Sequence, residues 1–527
     1  MRRFRLRLAA AVAIALLAVS ACSDPSASEG GRTDGTLVVA TSGEPDNLNP
    51  ILGYGSDGGT LLFDGLVARD ASNKLIPALA NALPTVSPDG KTVTATLRDG
   101  VTFSDGTPLT ADDVVFTYRS VLDPKIDSTI RSDLDMLATV EAQDFSTVVF
   151  TLKYAYAPFL QRLALGIVPA KAFAGQDVNK APFNRTPIGT GAYTVDSWTA
   201  GDRLVLTANP KYWGGAPAND RVIIAFVEDD NVRAQRARAG EFDAAELAPK
   251  LAASFANVDG YRVEKVASAD YRGVMLPFGD PVTGDVAIRR ALNQAVDRAA
   301  MVQGVLGGSG EPAFSPVPPS SEFVDPTAVG KDTADATAAT AALEGAGWKA
   351  GSDGIRARGG QKAEFTLMYP AADSLRKELA LAVTADAKKV GIKVNPEGLT
   401  WDAIEPRMKS DALIMGWGTP FDPDFVSYQL FHSRFAGQGF FNPGFYKSPA
   451  TDKALQDGRD HADTAARKAA YSAFQKQLAA DVPWIFLTYL QHTYVVRDSI
   501  QGVSPRVEAH DHGTNAIWWN IRTWKAA

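Results

Sequence analysis

The chain has 527 residues, 53 basic against 60 acidic side chains, 45% apolar residues and one cysteine. That length predicts roughly two to four lobes, and the apolar fraction is that of a globular protein with a large core, which excludes disordered, collagen-like and coiled-coil classes. A net charge of −7 argues against nucleic acid as a partner, because phosphate binding needs a basic stripe, and a single thiol excludes an internal disulfide or a cysteine-based metal site.

At the N-terminus, residues 1–7 carry four arginines and no acid, and residues 8–19 are a run of Ala, Val, Ile and Leu too short to cross a bilayer. This pattern predicts a secretory signal peptide over residues 1–21. It closes with Val19-Ser20-Ala21-Cys22, small residues before the only cysteine, which resembles the lipobox of bacterial lipoproteins. The resemblance implies that Cys22 is lipidated and anchors an exported chain at the outer face of the cell membrane. Residues 22–35 then form a lipidated cysteine and a Ser-, Gly- and acid-rich tether.

Residues 36–40, Thr-Leu-Val-Val-Ala, predict a buried strand followed by a turn-rich loop through Pro50. Residues 92–98 alternate, with Val93, Ala95 and Leu97 on one face, and Asp99-Gly100 supplies a turn. Thr110 to Asp113 has the Thr-x-x-acid form of a helix start. Asp285 is placed to cap one helix carrying Ile288, Ala291, Leu292, Ala295, Val296 and Ala299 inward. Residues 364–369, 374–389 and 392–394 read as strand, helix and strand, with Leu375, Leu379, Ala382 and Val383 inward and Gly391 as the stop. This βαβ unit predicts a right-handed crossover in a largely parallel sheet. A strand over 411–417 and an amphipathic helix over 464–480 follow.

Most chemical motifs fail on their context. Gly53-Tyr54-Gly55-Ser56-Asp57-Gly58 has dinucleotide spacing but follows no clean strand. Asp89-Gly90-Lys91-Thr92 lacks the first glycine of a phosphate loop, since Thr85 stands there. Ser374 and Lys377 match Ser-x-x-Lys without its partner motifs. His510-Asp511-His512 offers two imidazoles on one side of an extended segment but no further ligands. No cofactor is expected, and no catalytic set can be assembled. What stands out is aromatic density, eleven rings between Trp401 and Tyr446. Most read as core, but Trp417 and Phe421 flank Gly418-Thr419-Pro420 at the C-terminal end of a predicted strand, where ligand sites of open α/β sheets lie.

The run Ala40-Thr41-Ser42-Gly43-Glu44-Pro45 with Leu48-Asn49-Pro50, and the run from Leu97 through Ser104-Asp105-Gly106-Thr107-Pro108 to Val114, resemble the peptide/nickel family (family 5) of solute-binding proteins that feed ABC importers. Pro187-Ile188-Gly189-Thr190-Gly191-Ala192-Tyr193, Asn209-Pro210-Lys211-Tyr212-Trp213, residues 289–298 and Asp481-Val482-Pro483-Trp484 continue the match. The resemblance implies an α/β, type II periplasmic-binding-protein-like clamp of two lobes that is monomeric and is not an enzyme. Lobe I takes residues 36–77, 188–283 and 493–527, an extra subdomain takes 78–187, and lobe II takes 284–492. It also implies a ligand enclosed between the lobes and delivered to a membrane permease.

Peptide binders of the family carry, after the tryptophan matching Trp417, an aspartate that pairs with the peptide ammonium; here Thr419 or Pro420 stands there, and Asp422 belongs to the following Asp-Pro pair. The Trp-Gly-x-Pro-aromatic-Asp-Pro spelling instead looks like nickel-chelate binders, with His432 near their metal-binding histidine. Yet Ala164 to Pro169 lacks the arginine with which those proteins grip the chelate. The expected ligand is a di- or oligopeptide, the alternative is a metal chelate, and a distant alternative is a secreted hydrolase. Ligand contacts are expected from Trp417, Phe421, Thr419, Asp422, Glu44, Tyr54 and Tyr271, with His432 added only for a chelate.

Overall fold

The computed structural model describes residues 35–328, 334–510 and 517–526. The signal peptide, Cys22 and nearly all of the tether, as well as Asp511 and His512, lie outside the described residues. Strand β1 (Thr36–Thr41) is buried along almost its whole length, as a strand covered on both faces must be. A short strand β2 (Val67–Arg69) follows. Helix α1 (Ala111–Leu122) begins where Thr110 predicts, and the Asp113 carboxylate accepts from the Thr110 backbone N–H at 2.9 Å. Around α1, strands Thr85–Val86, Thr92–Thr96, Thr147–Leu152 and Leu137–Ala142 pair in that order as an antiparallel sheet. Val93, Ala95 and Leu97 are buried as their alternation requires.

The first lobe continues through β3 (Tyr193–Thr199), β4 (Arg203–Ala208), β5 (Arg221–Phe226) and β6 (Ala244–Glu246). The chain then runs along β7 (Tyr261–Met275), fifteen residues long, into the second lobe. There β8 (Glu364–Pro370), helix α2 (Ser374–Lys389) and β9 (Lys393–Leu399) form the expected βαβ unit, with β8 and β9 parallel. Leu379 and Val383 face its core, and Leu375 and Ala382 pack at its margin. Strand β10 (Ala412–Trp417), helix α3 (Asp424–Phe431) and helix α4 (Thr464–Asp481) precede β11 (Trp484–Arg497), which returns to the first lobe.

One sheet spans both lobes in the order β9-β8-β10-β7-β11-β6-β1-β5-β4-β3. It is mixed rather than largely parallel. Only β1 with β5 and β6, and β8 with β9 and β10, pair in parallel; β7 and β11 run antiparallel to each other through the middle. The apolar clusters divide along these two strands. Val266, Tyr494 and Val496 belong to the core of the first lobe, whereas Tyr271, Val274, Phe486 and Tyr489 belong to cores of the second. The fold is thus a two-lobe α/β clamp joined by long central strands.

The helix expected to run from Asp285 through Ala299 is two helices, Val286–Ala295 and Arg298–Gly304. Asp297 breaks it, because its side chain accepts from the Ala300 N–H at 2.9 Å and caps the second piece. Arg298, buried, donates to the carbonyls of Ala313 and Phe486 and fixes the new direction.

Candidate functional site

Strand β10 delivers Trp417 to the boundary between the lobes, in register with Tyr271 on β7. The chain leaves the strand at Gly418, whose φ of +145° and a Cβ position 2.0 Å from the Ala269 carbonyl oxygen exclude any larger residue. Its own carbonyl accepts from the His510 N–H at 2.8 Å. Trp417 is half-buried, with its ring 6.0 Å from His510 and 6.1 Å from Phe441, and its indole Nε1 has no partner among the described residues. Thr419 Oγ1 accepts from the Phe421 N–H at 3.2 Å, which folds the loop and presents the Phe421 ring.

The opposing lobe meets this loop with two arginines. The Arg69 guanidinium, at the end of β2, lies 3.7 Å from the centre of the Phe421 ring, and that of Arg162 lies 3.6 Å from the centre of Phe425. Such cation–π stacking joins the lobes face to face. Polar contacts extend the junction. Tyr156 donates to Asp424 at 2.5 Å, Gln429 to Ser132 at 3.1 Å and to Asp133, and Arg434 to Asp135 at 2.9 Å. Arg459, buried between them, pairs with Asp424 at 3.0 Å and Asp135 at 3.3 Å.

Of the residues expected to contact ligand, Trp417, Thr419 and Phe421 stand together on this loop. Asp422 follows them but turns into the second lobe, where Arg467 donates to both of its carboxylate oxygens at 2.8 Å. It is a structural ion pair rather than a free acid of the cleft. Glu44 is likewise engaged within the first lobe, accepting from the Trp198 indole and the Gly201 N–H, each at 2.7 Å. Tyr271 is fully buried among Trp484, Phe486 and Tyr489, so its ring is core rather than cleft wall. Burial also pushes its hydroxyl pKa well up. Tyr54 is half-buried and packs edge-on to Phe63 at 6.4 Å. It lines a small cavity of about 30 Å3 beside Gly43, Phe226 and Trp518, apart from Trp417. His432 Nδ1 accepts from the Arg434 N–H at 3.1 Å and lies 3.6 Å from Asp452, and burial lowers its pKa against the pull of that carboxylate. Among the described residues no three His, Cys, Asp or Glu side chains are grouped to hold a metal.

Sequence reasoning missed a charged network where β7 and β11 cross between the lobes. His492 bridges Glu508 at 2.6 Å and Asp270 at 3.0 Å, and Asp270 also meets His510 at 2.9 Å and Arg272. Burial alone would lower the His492 pKa, but the bonds to Asp270 and Glu508 outweigh it and raise it well above the usual imidazole value. Burial alone would likewise raise Asp270, but Arg272 and the two histidines hold it well below the carboxylate range. These residues are spread over more than two hundred positions, and no local pattern marks them.

Residues 74–438 match the family model of the bacterial extracellular solute-binding proteins, family 5 (middle region). The chain belongs to this family. Family 5 proteins are solute-binding proteins rather than enzymes, and they are extracellular or periplasmic. Among the similar proteins, Protein XP55 of Streptomyces lividans is 49% identical across 96% of this chain and 94% of its own length. The oligopeptide-binding protein AppA of Bacillus subtilis is 29% identical across 95% of this chain and 96% of its own. Among solved structures, NikZ of Campylobacter jejuni in complex with Ni(L-His) superposes with a TM-score of 0.88 at 30% identity, covering 93% of this chain and 99% of that one. AppA of Bacillus subtilis in complex with a nonapeptide superposes at 0.82 with 27% identity and the same coverage. The family 5 fold therefore embraces peptide- and nickel-binding relatives of comparable likeness to this chain.

Proposed function

We propose that this family 5 protein captures di- or oligopeptides between its lobes and hands them to the permease of an ABC importer. The observation that carries the reading is the Trp417–Phe421 loop. It sets two aromatic side chains at the junction of the lobes, and the Trp417 indole N–H has no acceptor among the described residues. Peptides supply a carbonyl acceptor at every residue, and a buried donor is expected to find one. With Asp422 held by Arg467, the peptide ammonium is solvated or meets a group other than that acid. The likeness to AppA, an oligopeptide-binding protein, supports the same ligand class.

The test is native mass spectrometry of protein purified under mild conditions, followed by thermal melts with peptide pools. Saturation at about a hundred times the dissociation constant stabilises the clamp by about 2.7 kcal/mol. Trp417→Ala is expected to weaken peptide binding at least tenfold while unfolding stays cooperative; unchanged affinity removes Trp417 from the site. A second reading, a metal chelate, is favoured by the likeness to NikZ bound to Ni(L-His). A co-purified metal with a small chelator, and no peptide masses, establishes it instead. Lipidation at Cys22 belongs to the same proposal, and Cys22→Ser is expected to release the protein from the membrane fraction.

A further inference from the structure

We infer that Arg69 is the anchor for a carboxylate of the bound solute. The inference rests on reading the space between the lobes as the ligand site. Two arginines of the first lobe stack on two phenylalanines four positions apart in the second, Arg69 on Phe421 and Arg162 on Phe425. Their charges are treated differently. Arg162 is balanced by Asp133 at 3.3 Å and Asp57 at 3.8 Å. Arg69 is only 7% exposed, its Nε and Nη1 have no hydrogen-bond partner among the described residues, and its Nη2 reaches Gln161 Oε1 only at 3.5 Å.

An isolated buried cation is among the costliest groups a fold can carry, and buried polar atoms without partners call for an explanation. Burial pushes the Arg69 pKa down to about 10, opposed by Asp57 and reinforced by Arg506 and Arg162. Asp57, which also serves Arg162, acts on Arg69 only at longer range, so the guanidinium has no ion pair of its own among the described residues, and a carboxylate of the solute supplies one. The stacking geometry agrees. A ring holds the face of a guanidinium and leaves its N–H groups to donate in the plane, where carboxylate oxygens bind. Because Arg69 and Phe421 come from opposite lobes, an anion there touches both and favours the closed clamp. The carboxylate can be a peptide C-terminus or that of an amino acid chelating a metal.

Wild type, Arg69→Met and Arg69→Lys are to be compared by thermal melts and calorimetric titration with trialanine, trialanine amide and the nickel–histidine complex. A carboxylate probe is expected to bind wild type, to lose at least tenfold in affinity with Arg69→Met, and to recover part of it with Arg69→Lys. Trialanine amide is expected to bind wild type no better than the acid binds Arg69→Met. Without ligand, Arg69→Met should melt no lower than wild type, since it removes an unpaired charge. Equal affinity of Arg69→Met and wild type, equal binding of acid and amide, or a lowered ligand-free melt with unchanged affinity would each overturn the inference. Arg69-dependent binding of the nickel complex, with no peptide binding, upholds the anchor and sinks the peptide reading. Peptide binding indifferent to Arg69 does the reverse, and no binding of any carboxylate probe by wild type removes both.

Discussion

Asp422 and Arg467 are both almost wholly withdrawn from water and share two hydrogen bonds, and Arg467 Nε also donates to the Gly458 carbonyl at 2.7 Å. Removing one member of such a pair strands the other charge, at a cost of about 3 to 5 kcal/mol. Asp422→Ala is therefore expected to lower stability by that order in urea unfolding while leaving the affinity of the folded fraction intact. A loss of affinity without loss of stability would return Asp422 to the ligand site. At this scale the sequence was legible where chemistry is local. Trp417 and Phe421 are marked by a strand end and a Gly-Thr-Pro break within five residues. The engagement of Asp422 is not legible because its partner Arg467 lies forty-five positions later, and Arg69 carries no motif at all. Its meaning comes from a ring more than three hundred positions away.

Elements followed the sequence wherever apolar period and cap agreed, as in β1, α1 and the unit from β8 to β9. The helix after Asp285 failed because Asp297 offers a cap inside an unbroken apolar period, and Arg298 finds carbonyls that only tertiary packing supplies. The central strands carry the pH dependence. His492 is held protonated, so its contribution is full below the ordinary imidazole pKa of about 6.5 and is lost as pH rises through its higher folded value. Asp270 works in the opposite sense, contributing above the ordinary carboxylate pKa of about 3.9 and failing as acid titrates it at lower pH. Between neutral pH and the alkaline range the melting temperature of wild type should therefore fall, and more steeply than that of His492→Gln. Identical slopes would show that the Asp270–His492–Glu508 network is not what titrates. Gly418→Ala, which drives a methyl group into the Ala269 carbonyl, is expected to lower stability and disturb the loop that carries Trp417, read as a lowered melt and a changed tryptophan emission.

For the whole molecule, closure is held by contacts that exist only when the lobes meet, among them Tyr156 to Asp424 and Gln429 to Ser132 and Asp133. Each such hydrogen bond is worth about 1 kcal/mol net. The double variant Tyr156→Phe, Gln429→Ala removes three of them and should thus move the closed–open balance by about 3 kcal/mol, roughly 150-fold. Small-angle scattering of the ligand-free protein is expected to show a larger radius of gyration in the variant; an unchanged radius would mean that these contacts do not govern closure. The clamp was legible only through family resemblance, since a sheet that interleaves β1, β6 and β11 has no periodic signature in one sequence. That interleaving orders the events of folding. The second lobe draws its core from one stretch between β7 and β11, and can condense once that stretch is complete. The first lobe buries Ile517, Trp518, Ile521 and Trp524 beneath strands laid down near residue 36, so its core cannot close until the last residues are present. Long-range pairing of this kind is slow, and it leaves the apolar surface that residues 517–524 cover in the first lobe exposed until that segment of the exported chain has been made.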